Sequence, residues 1–226
     1  MVWRVSRIWK NNSLTIVLFT IFALSLIGMS IAGWQSNNDE LTDRRQATQS
    51  FGGYITSAGF VEGVFENWES EFLQMWALIM LTIWFRQKGA DDSKPVRGKT
   101  AQDTKSRYSW ANASTLTEKV RWLRHFIYSH SLGFAALLLF IASFMLHAVG
   151  GASVFNEDAQ YYGKTERVNA VSYMSTPTFW YESLQNWQSE FLAVGSLMVL
   201  SIVLRERGSP ESKPVGRRYD AQTGNG

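Results

Sequence analysis

Two long uncharged runs constrain this chain more than any other feature. No Asp, Glu, Lys or Arg occurs in 11–38 or in 126–156. Each run exceeds the ~20 apolar residues that carry a helix across a bilayer. Bulk composition does not disclose this, because the hydrophobic fraction is an ordinary 46% and the mean hydropathy is −0.13. The information is in the distribution. The chain has no cysteine, which removes disulfides, thiol redox chemistry and thiolate metal sites together.

The second constraint is a duplication. Asn67-Trp68-Glu69-Ser70-Glu71-Phe72-Leu73 returns as Asn186-Trp187-Gln188-Ser189-Glu190-Phe191-Leu192. Each copy runs into an apolar segment, then Arg86 or Arg205, then Gly89 or Gly208, and closes on Ser-Lys-Pro-Val at 93–96 or 212–215. The offset holds at 119 for both Asn186 against Asn67 and Lys213 against Lys94. Register kept over that distance marks a repeated unit. The division that follows is a first two-span repeat at 1–96, a cytoplasmic linker at 97–113, a second repeat at 114–215 and a flexible tail at 216–226.

Residues 1–10 form a short basic amphipathic lead, with Val2, Val5 and Trp9 at helical spacing and Arg4, Arg7 and Lys10 within reach of lipid headgroups. Residues 14–33 are the first expected span. A cleavable signal peptide is the rival reading, since Ser30-Ile31-Ala32 suits cleavage, but the run is longer than a signal core and an uncleaved helix is expected. Residues 34–59 and 151–178 read as external loops. Residues 131–151 form the third span. Thr115 and Glu118 fit a capping box, and Leu116, Val120, Leu123 and Ile127 share one face, so a helix on the inner surface precedes that span.

The second and fourth spans raise a problem of length. Between Glu71 and Arg86 lie 14 uncharged residues, reaching ~21 Å as a helix against a hydrocarbon core of ~30 Å. The same spacing separates Glu190 from Arg205. Either these two helices are short or the Asn-Trp-x-Ser-Glu motif enters the membrane, and entry is expected. Orientation follows from the basic residues: eighteen fall in 1–10, 86–127 and 205–218, and only Arg44, Arg45, Lys164 and Arg167 on the opposite side. By the positive-inside rule both termini are cytoplasmic, and the two repeats run parallel, related by an axis along the membrane normal.

Glu71 and Glu190 are the first candidates for chemistry, each one helical turn after an Asn (Asn67, Asn186) on the same face. A carboxylate within the bilayer edge costs a few kcal/mol unless it is paired, protonated or wetted. Two readings stand: a proton or cation site where the repeats meet, or a structural carboxylate that locks the helix pair. Glu62, Glu66 and Glu69 fall on roughly the opposite face and are expected to be external and solvated. His147 is the only histidine well inside a span and sits at a depth similar to Glu190, so a His147–Glu190 pair is expected. Gly28 and Ala32 make a small-xxx-small step that would seat a neighbouring helix. No cofactor, no metal-ligand spacing, no phosphate loop and no nucleic-acid motif is legible.

The doubled motif, each copy followed by a span and Ser-Lys-Pro-Val, resembles an uncharacterised group of bacterial four-pass membrane proteins described only as a domain of unknown function. The resemblance covers nearly the whole chain and implies a bacterial inner membrane, with no activity to carry over. The expectation is therefore an all-α membrane protein with four transmembrane helices from two parallel repeats of two helices. Two external loops of moderate length and a short inner-surface amphipathic helix complete it. Its expected partners are the lipid bilayer and either a second copy or a membrane complex. The leading role is a non-enzymatic scaffold or accessory subunit. The alternatives are a proton- or cation-linked permeation unit using Glu71 and Glu190, and an enzyme acting on lipid or quinone.

Overall fold

The computed structural model describes residues 2–90, 92–104 and 115–219. Most of the expected linker (105–114) and the end of the tail (220–226) lie outside the described residues. Every regular element among those described is helical: α1 (Val2–Asp43), α2 (Phe51–Tyr54), α3 (Ala58–Trp84), a 3₁₀ turn (Ala101–Asp103), α4 (Leu116–Ser129), α5 (Ser131–Tyr161), α6 (Ala170–Tyr173) and α7 (Pro177–Val203). The Ile8–Asp43 part of α1 and the whole of α5 are long and apolar enough to cross a membrane. α3 and α7 fall short of that standard because the charged motif occupies their first halves.

Local chemistry starts and stops these helices where the sequence dictates. Ser57 and Thr176 cap α3 and α7 by accepting from the amides of Phe60 and Phe179, both at 3.3 Å. Thr115 and Glu118 cap α4 reciprocally, at 3.3 and 3.1 Å. After α3 and α7 the chain turns extended at Phe85 and Leu204 and then left-handed at Gly89 and Gly208, both with φ of 89°. Glycine suits that last conformation because a Cβ would be strained there. The hydroxyls of Ser93 and Ser212 close the two turns by accepting from the amides of Gln87 (2.8 Å) and Glu206 (2.9 Å).

These correspondences extend through both halves. Asn12 breaks α1 with φ −135°, and His130 separates α4 from α5 with φ −116°. Asn12 Nδ2 donates to the Ile8 carbonyl at 3.1 Å, and His130 Nδ1 lies 2.9 Å from that of Phe126. The basic lead before Asn12 thus occupies the place that α4 holds before His130. On the opposite side, Asn38 clasps the backbone of Gln49 (2.7 and 3.0 Å), and Asn156 clasps that of Val168 (2.8 Å twice).

The expected external loops are mostly helix. α1 continues to Asp43 and α5 to Tyr161, because their polar ends contain no helix breaker before Arg45 (φ 57°) and Gly163 (φ 71°). The connections are correspondingly short, and each holds one small helix. Arg44 fastens the ends of α1 and α5 together: it bonds Asp158 Oδ1 at 2.9 Å, pairs with Glu40, and lies 4.7 Å over the Tyr161 ring.

α3 packs most closely on α5 and then on α7. Gly150 permits the first contact, since a Cβ there would lie 2.7 Å from the Glu62 backbone nitrogen and 3.0 Å from the Ala58 carbonyl. Gly151 makes room for the Tyr173 ring and for the Glu62 carboxylate, whose Oε1 would be 2.9 Å from such a Cβ. The apolar core gathers beside it from Ala148, Ala152, Tyr173 and Phe179, with Phe144 and Phe155 around them. α1 differs sharply. Leu14 is 70% exposed, Phe19 68% and Leu24 64%. Gly28 is exposed with nothing within 4 Å of a Cβ position, so among the described residues the Gly28–Ala32 step seats no helix.

Candidate functional site

His147 lies on α5 about 24 Å from Ser131, given a rise of 1.5 Å per residue over sixteen residues. Its ring is completely buried. Phe179 of α7 stacks against one face, with centroids 4.8 Å apart at 24°. Both ring nitrogens meet carboxylates. Nδ1 is 3.0 Å from Glu69 Oε2 on α3, and Nε2 is 3.3 Å from Glu182 Oε2 on α7. A neutral imidazole has one N–H, so it donates to only one of these partners.

The carboxylates are themselves held. Trp187 Nε1 donates to Glu69 Oε1 at 3.2 Å, so both oxygens of the fully buried Glu69 are engaged. The Tyr173 hydroxyl donates to Glu182 Oε2 at 2.6 Å. Asn186 Nδ2 donates to Glu66 Oε1 at 2.6 Å and to the Glu182 carbonyl at 3.2 Å. Glu62, half-buried, brings a carboxylate oxygen to the same place: it, His147 and Glu182 each present a ligand atom within 4.8 Å of the others. Glu62, Glu66 and Glu69 reach the site together because spacings of four and three residues keep them on one face of α3.

Three expectations are corrected by this geometry. Glu62, Glu66 and Glu69 are not a solvated outer face: Glu69 is fully buried and the other two are half-buried, because that face of α3 is the one applied to α5 and α7. His147 does not pair with Glu190; it is taken by Glu69 and Glu182, which reach it from both sides. Glu71 and Glu190 do not enter the cluster. Glu71 is exposed and Glu190 half-buried, and neither carboxylate has a side-chain hydrogen bond or ion pair among the described residues.

The two motif copies also differ in what they touch. Asn186 joins the cluster, whereas Asn67 turns back to the Gly63 carbonyl of its own helix at 2.8 Å. Trp187 reaches Glu69, while Trp68 stays among the rings of Phe22, Phe65 and Phe72. At the 119-residue spacing Glu182 corresponds to Gly63 and Glu69 to Gln188, and at the 118-residue offset that relates His130 to Asn12, His147 corresponds to Met29. The polar site is therefore not duplicated: it joins α3 of the first half to α5 and α7 of the second. A signal for it was present in the sequence: three glutamates on one helical face of α3, with the only histidine well inside an expected span, His147, on a neighbouring helix.

No curated protein and no solved structure matches this chain. A family model matches residues 5–225, nearly all of the chain. The chain belongs to the family described as Domain of unknown function (DUF6766).

Proposed function

We propose that this protein is a four-span integral membrane protein of a bacterial inner membrane, with both termini cytoplasmic, acting as a non-enzymatic scaffold or accessory subunit. In this reading α3 and α7 span the bilayer with α1 and α5. Burial of Glu69, and the grouping of Glu62, Glu66 and Glu182 around His147, keep those carboxylates from lipid, which lowers the cost of placing them at the membrane edge. The observation that carries the role is the contrast between α1 and α5. They occupy corresponding places in the two halves, yet α5 is packed along one side while α1 presents its apolar surface almost whole. A long helix left bare in this way contacts lipid or docks a membrane partner.

The chain has no cysteine, so single cysteines report contacts without background. Leu18→Cys and Gly28→Cys are expected to give a discrete crosslinked species in native membranes, either a doubled chain or an adduct with one partner. Absence of any crosslink along α1, in a protein shown to be inserted and folded, would remove the docking role. A second reading, a cation-linked unit, is favoured by the buried imidazole flanked by carboxylates, and its location moves from Glu71 and Glu190 to His147. Purified protein in liposomes under an imposed proton or cation gradient separates the two: flux supports the second reading, and none is expected for a scaffold.

A further inference from the structure

We infer that Glu62, His147 and Glu182 form a binding site for one borderline first-row divalent cation, of which Zn²⁺ is the representative, with Glu69 as its positioning residue. Three helices contribute one ligand each: α3, α5 and α7. Their ligand atoms already lie within 4.8 Å of one another, and side-chain rotation closes them to the ~2.0–2.2 Å metal–ligand distances of nitrogen and carboxylate donors.

The heavy-atom geometry suits the arrangement that metal-bound histidines use: with an ion in place Glu69 would accept the Nδ1–H, and the Nε2 lone pair on the Glu182 side would be the ligand. Trp187 on the other oxygen of Glu69 holds that carboxylate in place, so the imidazole is oriented from behind. Tyr173 does the same for Glu182.

Two independent observations point to a ligand. Ser183 is fully buried and its Oγ has no hydrogen-bond partner among the described residues. It lies one turn after Phe179 and one turn before Trp187 on α7, and those two residues touch His147 and Glu69. Its unspent polar group is therefore on the ridge that faces the site. Charge is the second observation. Among the described residues, Glu69 and Glu182 have ion pairs with His147 alone, and Glu62 and Glu66 have none. Four carboxylates around one imidazole in a largely buried place call for positive charge. Glu182, with a side chain 24% exposed, provides the way in.

The donor set selects the ion. One imidazole with two carboxylates suits Zn²⁺, Mn²⁺ or Fe²⁺, whereas Ca²⁺ and Mg²⁺ favour all-oxygen shells and Cu⁺ favours sulfur. The inference requires neither docking by α1 nor movement of ions through the protein, so its failure leaves both of those readings standing.

The test uses the full chain, without a histidine tag, in detergent and stripped by a chelator. Calorimetric titration with Zn²⁺, with the metal counted by elemental analysis, is expected to give one ion per chain. His147→Gln and Glu182→Gln should abolish stoichiometric binding. Glu69→Gln should weaken it by about 10–100-fold while the bound ion keeps its imidazole, the behaviour of an orienting partner. Glu190→Gln should bind as the parent does. X-ray absorption at the zinc edge of the parent protein decides the matter even if a variant fails to fold: one imidazole and carboxylate oxygens are expected. No stoichiometric Zn²⁺ or Mn²⁺ in the folded parent, a shell without imidazole, or undiminished binding in folded His147→Gln overturns the inference.

Discussion

At the scale of single residues, two glutamates two positions apart have opposite fates. Glu69 is fully buried, bonded to the His147 ring and accepting from Trp187, while Glu71 is exposed. Replacing Glu69 by Gln keeps its shape but leaves one of these partners facing an amide N–H, and it removes the charge that strengthens both bonds. A loss of about 3 kcal/mol in folding stability is expected, within the range for breaking one side of a buried pair. Glu71→Gln, on an exposed side chain without a bonded partner, should change stability by less than about 0.5 kcal/mol. Reversible denaturation in mixed detergent micelles measures both. Equal effects would show that the buried pair is not what holds α3 to α5. Trp187→Phe removes one donor from Glu69 and should cost about 1–2 kcal/mol by the same measurement.

At the scale of elements, glycine separates the two helices that carry the long uncharged runs, α1 and α5. On α5, a methyl group at Gly150 would press on the backbone of α3 at 2.7 Å, and backbone does not yield. Gly150→Ala should therefore destabilise by about 1–3 kcal/mol through overpacking and weaken every function that needs Glu62 beside His147. On α1, Gly28 has nothing within 4 Å of its Cβ position. Gly28→Ala should be neutral or stabilise by up to about 1 kcal/mol, because alanine is the better helix former. The pair is measured on the detergent-solubilised monomer, so a docked partner does not enter. A destabilised Gly28→Ala monomer would mean that α1 packs against this chain after all. The basic helix α4 belongs to the same scale. Its start depends on the Thr115–Glu118 exchange, so Thr115→Ala should fray its first turn, at a cost of about 1 kcal/mol.

At the scale of the whole molecule, orientation is the prediction that the charge distribution makes. Reporter fusions after Lys88 should be cytoplasmic, and those after Asp43 and Tyr162 external, since the proposed four-span arrangement would put eighteen basic residues on one side and four on the other. A reversed reporter at Lys88 would refute the four-span arrangement and leave only α1 and α5 as candidate spans. The chain by itself determined what is local or periodic. The helix caps, the breaks at Gly89 and Gly208, the two uncharged helices and the 119-residue repeat depend on neighbours in sequence, and residues near in sequence carry that information. The tertiary structure decided which carboxylates matter. Residues 69 and 71 stand about 200° apart around a helix, and α3 carries polar groups on both faces, so the pattern of α3 alone does not reveal which face turns inward. That choice is made where Gly150 lets α3 close on α5 and where Phe179 and Trp187 of α7 enclose His147. It depends on steric room and hydrogen-bond partners supplied by helices about 80 to 120 residues away in the chain, given the separations of the His147–Glu69 and Trp187–Glu69 contacts.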